Sequence, residues 1–399
     1  MNRLPKIVLI SQYFWPENFK INDLCKKVKK AGYDLVVITG LPNYPRGRFF
    51  EGYSLLNIGW DKYEGIDVFR VPLFPRGKNK FCLLMNYLTF CFFASIATLF
   101  ICRNAKLVWV YQLSPIFAIV PAIISKMVYK TKIIANVLDL WPESFYAVVP
   151  NQNKVISELL LKLSNWIYSR CDILLVSSKY SCRLLGNRVT QPALHMPHSE
   201  IDYGGRKTEF GRENGFKILF AGNIGYAQSM DTIAQAVLKL RQLKGVKWCF
   251  LGDGAEKNAL ERKFRSEGIE NVEFLGWVPT EVAIAHLRDS HIALVTLKDN
   301  LVCNSTLPSK VQIFLSTGTP IVVATNGETN DVIGVAGAGL CGPAEDADKL
   351  TNNIEIAYNM SEKQLQELGA NGYMLFVEQF DADKVFELFE SQIRKVISE

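Results

Sequence analysis

The sequence predicts an α/β protein of two domains, each a parallel sheet assembled from stacked βαβ units. Short apolar, β-branched runs recur at a spacing of roughly 30 residues, and the stretches between them carry helical periodicity. The 399 residues exceed one ordinary core and suit two domains of about 200 residues each. With 49% hydrophobic and 21% charged residues, the composition is that of a folded globular chain.

The first set of predicted strands is Ile7 to Ile10, Leu35 to Thr39, Val68 to Val71, Leu107 to Tyr111, Ile133 to Val137 and Ile173 to Ser177. The second is Lys217 to Ala221, Trp248 to Leu251, Val272 to Leu275, Ile292 to Thr296 and Pro320 to Ala324. Between the sets, Ser199 to Gly215 is polar, rich in glycine and charge, and without periodicity, and reads as an interdomain linker. The expected domains are residues 1–200 and 201–380, with a terminal helix over 381–399 packing back towards the first domain. Parallel sheets bind ligands at the carboxyl ends of their strands, so two such domains are expected to face each other across a cleft.

Phe81 to Cys102 is 22 residues without a charge, long enough to cross a bilayer. It falls, however, where the crossover between the third and fourth strands belongs. Spanning would separate two strands of one sheet, and Asn86, Tyr87, Thr89, Ser95 and Thr98 dilute the run. With Arg76, Lys78, Lys80, Arg103 and Lys106 at its ends, it reads as a buried or interfacial helix that attaches the first domain peripherally to a membrane. The charge distribution agrees. Residues 1–200 hold 25 Lys and Arg against 12 Asp and Glu, whereas residues 201–399 hold 20 against 27, so the first half faces something anionic.

Nine cysteines and four histidines show no zinc-like pairing, and a reducing cytoplasm without disulfides or metal is expected. His195 and His198 flank Pro197 with no further ligand nearby and read as linker residues. The first strand begins too close to the amino terminus for a signal peptide. Asp346-Ala347-Asp348 and Asp381-Ala382-Asp383 each precede an amphipathic helix and read as caps. No stacking motif or recognition helix supports nucleic acid as a partner.

The chemistry concentrates at Pro308-Ser309-Lys310, an apolar half-helix, and then Gly318 to Ala324. A loop entering a helix that ends at a glycine turn into an apolar strand presents backbone N–H groups and a cation to a diphosphate. Such a site points to a nucleotide-sugar enzyme.

With Ala221-Gly222-Asn223-Ile224-Gly225, Phe250 to Gly254 and Phe274 to Pro279, this motif resembles the donor-binding half of glycosyltransferase family 4, retaining enzymes of the GT-B fold. In the first half, Tyr13 to Glu17, Pro42 to Gly47 and Asp139 to Ser144 resemble the branch that assembles bacterial surface polysaccharides, most closely the N-acetyl-L-fucosamine transferases of O-antigen synthesis. The resemblance implies two Rossmann-like domains facing a central cleft. It implies transfer of an N-acetylated amino sugar from a UDP-sugar to a polyprenyl-diphosphate-linked saccharide, at the cytoplasmic face of the inner membrane and without a cofactor.

The resemblance also assigns residues. Gly222, Asn223, Gly225, Gln228, Asp253, Val278, Lys298, Ser309, Lys310 and Gln312 fall at the donor site. Most of the family places an Arg and a Lys where Asn223 and Gln228 stand, so the cation at the diphosphate is expected to be Lys310, with Lys298 behind it. The family's paired glutamates fall on Ser305 and Ile313, and the ribose contact is expected to move to Gln312. Asp253, between two glycines after a strand, is expected to cap the next helix. Asp139 is expected to orient the acceptor hydroxyl, with Glu143 and Glu17 as further cleft carboxylates and Trp141 beside it. Arg46 and Arg48, in a loop rich in aromatics, offer cations to a lipid diphosphate and apolar surface to its tail. Two other readings stand beside this one: a UDP-sugar epimerase of the same fold, and a membrane-associated nucleotide-sugar-binding protein without catalysis.

Overall fold

A computed structural model describes residues 5–77, 79–149, 153–213 and 215–398. The chain divides into two compact units, residues 1–197 with 386–399, and residues 198–385.

The first unit is an eight-stranded sheet of β1 (Lys6–Ile10), β2 (Asp34–Gly40), β3 (Gly59–Tyr63), β4 (Ile66–Val71), β5 (Leu107–Gln112), β6 (Lys132–Val137), β7 (Ile173–Val176) and β8 (Ala193–His195). Its order is β3-β4-β2-β1-β5-β6-β7-β8. All neighbours are parallel except β3 with β4. The second unit holds β9 (Phe216–Ala221), β10 (Val246–Leu251), β11 (Val272–Gly276), β12 (Ile292–Thr296), β13 (Ile321–Ala324) and β14 (Gly339–Gly342) in the order β11-β10-β9-β12-β13-β14, all parallel. The central strands are continuous Val, Ile and Leu runs because helices cover both faces of a parallel sheet.

Every predicted strand is present, with ends within two residues. Three more lie at sheet edges. Strand β3 is mostly polar and turns into β4 through Glu64 and Gly65, both at positive φ, as a two-residue hairpin requires. Strands β8 and β14 are only 3 and 4 residues long. An edge strand is paired on one side only, so it needs little of the apolar run that marks a central one.

The uncharged segment forms the helix Lys80–Ile101, whose ends lead from β4 into β5 of one sheet. It buries Asn86, Phe90, Ala94, Ala97, Thr98 and Ile101 and exposes Phe81, Leu84, Leu88, Phe92, Ile96, Leu99 and Phe100. By length and composition it could cross a bilayer, yet 33% of its most apolar stretch is buried inside the unit.

The supposed linker belongs to the second unit. Phe210 is buried in that unit's core, Lys207 N–H donates to Thr317 O at 2.7 Å, and Lys207 Nζ donates to Ser290 O at 2.9 Å. Arg288 Nη2 donates to the carbonyls of Tyr203 and Gly205. Composition registers the charges of this segment but not the hydrogen bonds and the two aromatic anchors, Tyr203 and Phe210, that strap it down. The terminal helix Ala382–Ser398 crosses from one unit to the other, and its Phe389 ring lies 4.5 Å from that of Trp109 in the first unit. Asp346 caps the helix Ala347–Asn359 by accepting from Lys349 N, and Asp381 accepts from the N–H groups of Asp383 and Lys384.

Candidate active site

The loops after β9 and β10 interlock at the carboxyl edge of the second sheet. A Cβ at Gly252 would lie 1.9 Å from the Gly222 carbonyl oxygen, so glycine is what allows the two backbones to touch. Ile224 N–H donates to Asp253 O at 2.9 Å and Glu256 N–H to Ile224 O at 3.0 Å. The N–H groups of Asn223 and Gly225 then have no protein partner among the described residues. The side chain of Asp253 is exposed and accepts from Gly254 N–H at 2.9 Å. The cap position of the following helix, Lys257–Ser266, is Glu256. Asp253 therefore shapes the turn and caps no helix, because the chain needs three more residues before it can wind.

Lys310, in the first turn of the helix Ser309–Ser316, reaches the same loop. Its Nζ donates to Gln228 Oε1 at 2.8 Å and stands 4.3 Å from the centre of the Phe220 ring. No carboxylate pairs with it among the described residues. Desolvation pulls its pKa down to about 7, since burial disfavours the charged form. An ammonium held this way, at a helix start and beside open backbone N–H groups, is suited to an anion. Lys298 is different, because its Nζ pairs with Glu345 Oε1 at 2.8 Å.

Ser309 is exposed beside Lys310. Gln312, two residues on, is 1% exposed and its Nε2 has no hydrogen-bond partner among the described residues. Such a group is costly to bury unmet, by about 1–3 kcal/mol. Ile313, where the family's second glutamate falls, packs against the apolar cluster under the helix, and Ser305 Oγ donates to Val302 O. Val278 packs on the same cluster, next to the exposed Trp277.

On the first sheet, the expected carboxylates separate by environment. Asp139 follows β6, and its Oδ2 accepts from Ser114 N–H at 3.0 Å, while Oδ1 has no protein partner among the described residues. Glu143 is buried and accepts from both terminal nitrogens of Arg188. Glu17 is 2% exposed and accepts from Asn43 N–H at 2.8 Å, Tyr44 N–H at 2.7 Å and Phe14 N–H at 3.2 Å. Burial nevertheless pushes its pKa up to about 7. Glu17 and Glu143 thus stand as internal ties, and Asp139 keeps an open oxygen. Trp141 is likewise mostly internal, at 8% exposed, with Nε1 donating to Ser114 Oγ and its ring stacked on Phe145. Arg46 and Arg48 are exposed, and Arg46 lies over the Phe50 ring at 5.8 Å.

The structure adds a cluster that sequence reasoning missed. Arg76 Nη1 donates to Tyr13 Oη at 3.0 Å, and its guanidinium lies 5.1 Å from the centre of the Tyr44 ring. Burial raises the pKa of the Tyr87 phenol, with the charge of Arg76 lowering it and that of Asp139 raising it. The signal was present in part: Asn86 and Tyr87 are the polar residues that interrupt an otherwise apolar helix.

A cavity of about 550 Å³ lined by Arg206, Lys207, Lys217, Arg288, Asp289 and His291 lies at the amino ends of β9 and β12. That is the edge of the sheet opposite these loops.

Residues 215–359 match the family model described as glycosyl transferases group 1. The second unit therefore carries a glycosyltransferase group 1 domain, and the protein is a glycosyltransferase by class. Searched against curated proteins, the sequence has no match. Solved structures match over nearly the whole chain. Sucrose-phosphate synthase from Thermosynechococcus elongatus is 14% identical with a TM-score of 0.76, covering 99% of both chains. An alpha,alpha-trehalose-phosphate synthase (UDP-forming) from Burkholderia vietnamiensis is 13% identical with a TM-score of 0.70, covering 99% of this chain and 98% of that one. Anabaena HepE, in complex with UDP and glucose, is 13% identical with a TM-score of 0.68, covering 98% and 99%. At such identities the likeness concerns the fold, and the fold is GT-B.

Proposed function

We propose that this protein is a retaining glycosyltransferase that moves an N-acetylated amino sugar, N-acetyl-L-fucosamine first among the candidates, from a UDP-sugar to a polyprenyl-diphosphate-linked saccharide in O-antigen or surface polysaccharide synthesis. The observation that carries the reading is Lys310, an ammonium without a carboxylate, set against a glycine loop with open N–H groups in a glycosyltransferase domain. HepE bound to UDP, with the same fold, supports a uridine nucleotide.

Lys310 and the N–H groups of Asn223 and Gly225 hold the diphosphate and stabilise the charge that grows on it as the glycosidic bond breaks. Gln312 supplies a donor to the ribose in place of the glutamate. Asp139 orients the acceptor hydroxyl with its open oxygen, and the leaving phosphate takes the hydroxyl proton. The protein then works by position and electrostatics and needs no nucleophile of its own. Attachment to the cytoplasmic face of the inner membrane runs through the exposed apolar face of Lys80–Ile101, flanked by Arg76, Lys80, Arg103 and Lys106.

The test is UDP release from a panel of UDP-N-acetylhexosamines, including UDP-N-acetyl-L-fucosamine, with and without a prenyl-diphosphate-linked N-acetylglucosamine. Acceptor-dependent release with one donor is the expected result. No release with any donor would move the weight to the epimerase reading, which shares the fold and the nucleotide site, or to the binding-protein reading, for which the residues at 305 and 313 are the motive.

A further inference from the structure

We propose that Arg76, braced by Tyr13 and Tyr44, is the cation that holds the diphosphate of the lipid-linked acceptor, whose prenyl chain leaves along the exposed side of the helix that begins four residues later. The proposal rests on the function proposed above and assigns to Arg76 the part expected of Arg46 and Arg48.

Arg76 is a built cation. Its backbone N–H donates to Asn43 Oδ1 at 3.0 Å, and the same Asn43 oxygen accepts from Asn86 Nδ2 at 3.3 Å. Asn86, with none of its surface exposed, also donates to Phe74 O at 2.6 Å and accepts from Gln12 Nε2 at 2.6 Å. The neighbouring loops are locked together: Gly77 N–H donates to Gly47 O at 2.9 Å, and a Cβ at Gly47 would meet Gly77 O at 2.5 Å. A buried amide network thus fixes the backbone, one phenol takes Nη1, and one ring supports the face of the guanidinium.

Among the described residues no carboxylate pairs with Arg76, and Tyr13 Oη is the one protein partner of its five guanidinium N–H bonds. The other buried or half-buried arginines of this unit are paired among the described residues: Arg70, fully buried, with Asp61 and Arg188 with Glu143. A half-buried guanidinium with unmet donors is suited to bidentate recognition of a phosphate. Arg46 and Arg48 are exposed on the loop above, where phosphate would be contested by water.

The surroundings select a phosphate that carries a hydrocarbon chain. Phe74, tied by its N–H to Thr89 Oγ1 and by its carbonyl to Asn86, is exposed, as are Phe81, Leu84 and Leu88 at successive turns of the helix. An anionic head at Arg76 and an apolar chain along this stripe match the two ends of a prenyl diphosphate.

The experiment is calorimetric titration of farnesyl diphosphate into the full chain with the donor site saturated by UDP, alongside inorganic pyrophosphate. Wild type is expected to bind farnesyl diphosphate more tightly than pyrophosphate. Arg76→Gln is expected to weaken farnesyl diphosphate about tenfold or more, the range for a charge-assisted bond, and Arg76→Lys to restore part of it. Arg46→Gln and Arg48→Gln are expected to change it by less than about threefold, as for exposed charges. Unchanged binding in Arg76→Gln, no binding by wild type, or equal affinity for the two ligands would overturn the proposal. An Arg76→Gln variant with an altered unfolding midpoint is judged by Arg76→Lys, whose failure to restore any binding counts against the proposal. Binding through Arg76 without sugar transfer from any UDP-sugar removes the function and leaves this site. Transfer with unchanged affinity in Arg76→Gln does the reverse.

Discussion

Lys310 and Asp139 each keep a charge without an opposite partner among the described residues, and each supports a prediction. A lysine with its pKa near 7 loses its proton as pH rises, so the affinity for a UDP-sugar is expected to fall between about pH 6 and about pH 8, with proton uptake on binding. Titration in buffers of different ionisation enthalpy measures both quantities. Lys310→Met is expected to bind about tenfold to a hundredfold more weakly and without that pH dependence; a pH-independent wild type would count against the role. Asp139→Asn retains an oxygen for Ser114 N–H but no charge. It is expected to lower kcat by about a hundredfold or more while leaving the UDP affinity as it was. The lysine was legible as a motif, but its partner Gln228 stands 82 residues away. Likewise the sequence presents Glu17, Glu143 and Asp139 as equals, and only the three amides and the arginine around the first two single out the third.

The helix Lys80–Ile101 has two faces that ought to respond differently. Phe90, at 1% exposed, sits in the core of the first unit, and its replacement by Ala is expected to lower stability by about 3–5 kcal/mol in denaturant unfolding. Phe92→Ser changes an exposed position on the other side and is expected to stay within about 0.5 kcal/mol while weakening sedimentation with anionic vesicles. Equal vesicle binding would remove the membrane role of this face. The strap over residues 199–213 offers a second test at this scale. His291 Nδ1 accepts from Lys217 N–H at 3.0 Å and Nε2 donates to Gly211 O at 3.1 Å, which requires the neutral ring. Burial lowers its pKa from 6.5 to about 4. The unfolded chain takes up this proton first as pH falls, so stability is full above about pH 6.5 and declines towards pH 4, by roughly 3 kcal/mol at 1.36 kcal/mol per pH unit. Urea midpoints for wild type and His291→Gln across that range measure it, and the variant is expected to lack this part of the decline.

At the scale of the molecule, the contrast between a basic first half and an acidic second half predicts that vesicle binding weakens as salt rises, because counterions screen a surface field within about 10 Å at 0.1 M. Binding unaffected by salt would mean that apolar contact alone is responsible. The strand pattern and the order of the βαβ units were determined by sequence alone, since a central parallel strand must be apolar on both faces and a crossover helix must show its period. The same holds for the glycine loops and the lysine at the helix start, whose chemistry depends on residues close together in the chain. Tertiary structure decided the edge strands β3, β8 and β14, which need a partner more than a pattern. It also decided the attachment of the supposed linker to the second unit, the internal ties of Glu17, Glu143 and Trp141, and the unpaired state of Arg76. Whether a charge is open or neutralised depends on groups distant in sequence, which a local pattern does not encode.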